Sequence, residues 1–94
     1  MMIYVSHSFN GSDQQYQAVR DRVLELQEDD WDNCYVCPVL SFPFAAEVDS
    51  NKMLAIRLDL MSVCDCLFVA SDPDNTVAAE IEFAKTVGME ICYV

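Results

Sequence analysis

Along the chain the apolar positions keep two habits, short unbroken runs and a helical spacing of three and four. "MIYVS" (2–6) is a β-rich run that gives way to the polar stretch "HSFNGSD", which reads as strand then loop. Ser12 followed by Gln15 has the form of a capping box. Tyr16, Val19, Val23 and Leu26 then recur at helical spacing through about Gln27. "EDDWDN" (28–33) is an acidic turn, and "CYVCPVL" (34–40) reads as the second strand, with Pro38 ending its pairing or marking an edge. "SFPFAAEVDSN" (41–51) is a loop with two aromatics, and Asp49 or Ser50 can cap the next helix, "NKMLAIRLDLMSVC" (51–64). "DCLFVA" (65–70) is a continuous apolar run suited to the middle of a parallel sheet. A helix over about 75–87 and a strand "EICYV" (90–94) close the pattern.

The order βαβαβαβ with short connections predicts one α/β domain over residues 1–94, a mainly parallel four-stranded sheet covered by helices. In such open sheets ligands sit beyond the carboxyl ends of the strands, where strand order reverses. Those ends fall at residues 6–11, 39–44 and 71–75. The helix after the last of them holds an anomaly. On a wheel of about 100° per residue, Val77, Ile81, Ala84 and Gly88 share one face, and Glu80 falls inside that arc. Two readings stand: a border glutamate that bends out to water, or a carboxylate whose burial serves a function.

Composition narrows the partners. Hydrophobic residues make up 53% of the 94, enough for a true core. The net charge of −11, from 16 acidic and 5 basic residues, opposes nucleic-acid backbones and anionic membranes. The opening segment has no basic region followed by a long apolar one, and no run approaches a membrane span. Five cysteines fit a reducing compartment, so the cytoplasm is the expected location. On the predicted strand Cys34 and Cys37 face opposite ways, and Cys64 and Cys66 lack a matching second pair, so no metal site is expected. There is no phosphate-binding glycine motif, and no cofactor is expected. The helix over 51–64 is apolar around most of its circumference, with only Ala55, Asp59 and Ser62 forming a contrasting stripe. That predicts burial on two sides, by the sheet and by a second copy, hence a homodimer or higher homo-oligomer.

Carboxylates cluster near the last strand end. Asp72 and Asp74 flank Pro73, and they suit either a strand-to-helix turn or recognition of sugar hydroxyls. His7, the single histidine, lies in the first strand-end loop as a candidate base or a plain loop residue.

"MIYVSHSF" and "LDLMSVCDCLFVASDPDNTVAAEIEFAKTVGMEICYV", with their spacing, resemble the nucleoside 2-deoxyribosyltransferase family, in particular its short bacterial and phage relatives. The most specific element is Asp74 six residues before Glu80, on a helix after a strand opened by Cys64-Asp65. The resemblance implies a flavodoxin-like three-layer fold and a double-displacement glycosyl transfer on a nucleoside or related small ligand. Glu80 matches the nucleophile, Tyr4 the tyrosine that orients it, Asp74 the receiver of the sugar 5′-hydroxyl, and Asp59 the aspartate that handles the base's proton. Ser6, His7, Phe9, Asp72 and Asn75 would complete the substrate contacts. Thr76 or Ala78 stands in place of the family's glycine. That keeps two alternatives open beside the transferase, a non-catalytic nucleoside- or nucleotide-binding module of the same fold and a deoxynucleotide N-glycosidase. Related deoxynucleotide N-glycosidases carry serine at the place of Asp74. The aspartate therefore favours a nucleoside over a nucleotide.

Overall fold

A computed structural model describes residues 1–93, with the side chain of Ala46 outside the description. Strand β1 (Met2–Ser6) lies between β2 (Cys34–Val36) and β3 (Cys66–Val69), and β4 (Glu90–Tyr93) extends the sheet beyond β3. All pairings are parallel, in the order β2-β1-β3-β4. With helices on both faces this is a flavodoxin-like three-layer α/β fold, as expected.

Each helix follows from local chemistry. Ser12 caps α1 (Asp13–Asp29), its hydroxyl accepting from the Gln15 amide at 3.1 Å. Asp49 caps α3 (Ser50–Ser62) by accepting from the amides of Asn51 and Lys52. Asp74 caps α4 (Asn75–Val87), which ends at Gly88 in the left-handed region, φ 72°. A residue with a Cβ is strained there, so glycine makes a clean stop.

One predicted element changes character. The run over 34–40 pairs only as far as Val36, and Pro38–Ser41 forms a short helix, α2. Pro38 is the cause: it has no amide proton for a ladder, and its fixed φ suits the first helical position. Cys37 therefore stands at the residue before α2, beyond the paired part of the strand. The first helix also runs on to Asp29. The last residue of the predicted closing strand, Val94, lies outside the described residues.

Strand alternation divides the core in two. Tyr4, Leu67 and Val69 face α3 and α4, packing with Met61, Cys64, Val77 and Ala84. Val5 faces the other way, against Val19 and Val23 of α1 and Cys37. The centre of the sheet is pinned by its loops. Asp65 accepts from the Met2 amide at 2.7 Å while its own amide donates to the Met2 carbonyl, and the Ala70 amide donates to the Ser6 carbonyl. Asp65 thus has a structural task, tying β1 to the start of β3.

Candidate functional site

Because side chains alternate along β1, Tyr4 and Ser6 share the face that meets α4. On α4 the buried stripe is Val77, Glu80 and Ala84, spaced three and four apart. Glu80 is only 1% exposed, which rules out the border glutamate that bends to water. Its carboxylate is the meeting point of the two elements. The Tyr4 hydroxyl donates to Oε2, and the Ser6 hydroxyl donates to Oε1 at 2.9 Å.

Burial is the largest influence on Glu80 and pushes its pKa above the ordinary value of 4.5. The donors Tyr4 and Ser6 oppose that rise, as does the positive charge of Arg57, while the charge of Asp74 adds to it. Tyr4 is driven up as well, first by burial and then by the neighbouring carboxylate, so its hydroxyl stays protonated and acts as a donor. Cys37, buried nearby, has its thiol pushed up to about 11 by the same loss of water.

Glu80 forms part of the wall of a cleft of about 410 Å³, within the size range of small-molecule sites. The cleft lies at the carboxyl end of β1, and β2 and β3 leave β1 on opposite sides, so it occupies the point where strand order reverses. His7, Phe9 and Tyr16 line one side, with Phe9 and Tyr16 edge to face at 6.4 Å. Pro38, Phe42 and Pro43 follow from the second strand end, and Thr76 comes from α4. His7 Nδ1 lies 2.7 Å from the Ser8 carbonyl oxygen. A carbonyl can only accept, so Nδ1 carries the hydrogen of that contact.

The sequence-predicted residues divide into two groups. Tyr4, Ser6 and Glu80 are joined by hydrogen bonds, and His7 and Phe9 share the cleft with Glu80. Asp74 is close enough for its charge to act on Glu80, but its carboxylate accepts from the Val77 amide at 2.8 Å and does not line the cleft. Asp72 and Asn75 are exposed and also lie outside the cleft wall. Asp59, matched by the resemblance to the aspartate that handles the base's proton, is exposed on the outer stripe of α3 and lies outside the cleft wall. The turn reading suits Asp74 in this structure, through its cap.

The sequence-predicted set omits Arg57 as well as the aromatic wall residues Tyr16 and Phe42. Arg57 lines the cleft, and its Nε is buried without a hydrogen-bond partner. It lies four residues after buried Met53 and four before buried Met61, in the inward stripe of α3. The signal was present in "MLAIRLDLM", where one arginine interrupts an apolar helix. Among the described residues no three of His, Cys, Asp and Glu gather as a metal site needs. No family model, curated protein or solved structure matches this chain.

Proposed function

We propose that the cleft cleaves or exchanges the N-glycosidic bond of a (deoxy)nucleoside, with Glu80 as the nucleophile. The observation that carries this reading is the Glu80 carboxylate, held by Tyr4 and Ser6 at the wall of a ligand-sized cleft where strand order reverses. Each carboxylate oxygen accepts one hydrogen bond there and keeps further lone-pair capacity. The donors fix the carboxylate's orientation, which raises the fraction of time in which it can meet a reacting carbon.

In this reading one Glu80 oxygen attacks the anomeric carbon as the bond to the base breaks. The electron pair of that bond leaves with the base, which takes up a proton from solvent. Positive charge develops on the sugar in the transition state and is stabilised by the adjacent anion. A water or a second base then attacks the same carbon, the ester bond to Glu80 breaks to return the carboxylate, and the nucleophile's proton passes to solvent. Phe9, Tyr16 and Phe42 supply apolar and aromatic walls of the kind that a planar base stacks against.

The reaction needs the ionised form, and burial raises the Glu80 pKa, so turnover should increase with pH through a limb above the ordinary carboxylate range. Incubating the protein with deoxynucleosides and a free base, read by chromatography, tests the reading. Exchange or release of base is expected. Glu80→Ala should lower the rate by at least about a hundredfold while circular dichroism stays unchanged. Turnover that survives this substitution removes Glu80 as the nucleophile, and binding without turnover assigns the cleft to a binding module.

A further inference from the structure

The buried stripes of α3 and α4 each carry one charged residue, Arg57 and Glu80, and both open on the same cleft. They do not neutralise each other directly. Among the described residues the ion pairs are Arg20–Asp21 and Arg22–Glu25, both on α1. The Glu80 oxygens take their hydrogen bonds from Tyr4 and Ser6, while Arg57 Nε has no acceptor. An unpaired buried donor on a permanent cation is costly, and a bidentate oxyanion is its best-matched partner.

We propose that Arg57 is the oxyanion receptor of this cleft, so that the ligand is a nucleoside carrying a phosphate in preference to the uncharged nucleoside. This rests on the glycosidic reading of Glu80 and reverses the preference for a nucleoside drawn from Asp74 in the sequence. That preference assumed that Asp74 faces the ligand, whereas its carboxylate caps α4 and lies off the cleft wall. Arg57 and His7 are the basic side chains of the cleft, and a guanidinium matches an oxyanion with two parallel N–H donors. The start of α1 also opens here, but the Asp13 carboxylate offsets its dipole, which leaves the Arg57 guanidinium as the cleft's anion-binding group.

The test separates binding from turnover. The full chain with Glu80→Gln is titrated calorimetrically with four deoxynucleoside 5′-monophosphates and the four matching deoxynucleosides. At least one monophosphate should bind about tenfold or more tightly than its nucleoside, as a charge-assisted contact predicts. Adding Arg57→Gln should bring that ratio close to one, and Arg57→Lys should keep part of it. Inorganic phosphate should compete with the monophosphate. A ratio near one in the parent, a ratio unchanged by Arg57→Gln, or no binding of any probe overturns the proposal. So does an arginine-dependent preference that follows the base instead of the phosphate. Should Arg57→Gln fail to fold, the lysine variant and phosphate competition decide, and absence of competition is the negative result. Chromatography with the unsubstituted protein is read separately. Tight monophosphate binding without release of base supports the receptor and refutes the glycosidic reading.

Discussion

Glu80 loses nearly all its water on folding, and the Tyr4 and Ser6 hydroxyls replace part of what is lost. The net effect is a pKa above 4.5, with burial the largest cause. A folded carboxyl with a raised pKa holds its proton more readily than the unfolded one. The stability linked to it is fully present below the unfolded pKa and is lost as pH rises through the folded pKa. Glu80→Gln, which cannot ionise, should therefore be more stable than the parent near neutral pH, and the gain should vanish below the ordinary carboxylate value. Urea denaturation at the two pH values checks this. A parent that is the more stable one at neutral pH would show that Tyr4, Ser6 and Arg57 together outweigh burial. The same ionisation that destabilises the fold is the one the proposed chemistry requires, a common relation at functional sites.

Helix α4 holds Glu80 in place through its ends as well as through its apolar stripe. Asp74 closes the first turn and Gly88 stops the last. Asp74→Ala should cost about 1 kcal/mol in denaturant unfolding, whereas Asp74→Ser keeps an acceptor and should cost a few tenths. Activity separates the cap from the sugar contact implied by the resemblance. If capping is the whole role, the serine variant retains turnover; a large loss of turnover at unchanged stability assigns Asp74 to the substrate. Helix α2 acts similarly at the second strand end. Pro38 turns the chain out of β2 after three paired residues, and Val39 and Phe42 reach the cleft as a result.

Taken as a whole, the molecule leaves apolar surface uncovered. In α3 only Met53 and Met61 are buried, Leu54 and Ile56 are half-buried, and Val63 beyond its end is 65% exposed. The expected exposed stripe of Ala55, Asp59 and Ser62 is observed, and the apolar positions beside it are covered only in part by this chain. A second copy packed on α3 would remove that surface from water, and we predict a homodimer or higher homo-oligomer on this ground. The net charge of −11 opposes association, so the dimer fraction should rise with salt. Light scattering at micromolar concentration and moderate salt checks the mass, and a monomer mass refutes the prediction. Among the described residues no helix is long and apolar enough to cross a membrane.

The order of elements, the parallel sheet and the anomaly of Glu80 were legible in the sequence, because they depend on periodicity and on short-range signals. Helix spacing put a carboxylate among Val77 and Ala84, and capping residues stood at the head of each long helix. The Pro38 signal allowed a strand end or an edge, and the proline opens a short helix that packs against α1. Two features were decided only by tertiary structure. Asp74, Asp72 and Asp59 stood beside Glu80 as candidate site carboxylates, and of the four Glu80 is the one on a buried stripe facing donors from another element. Arg57 was one cation in an apolar helix until α3 and α4 packed side by side on one face of the sheet. The reason is the same in each case: sequence spacing fixes which face a residue occupies, but what stands opposite that face is set by packing against another element, as with Tyr4 and Ser6, 76 and 74 positions from Glu80.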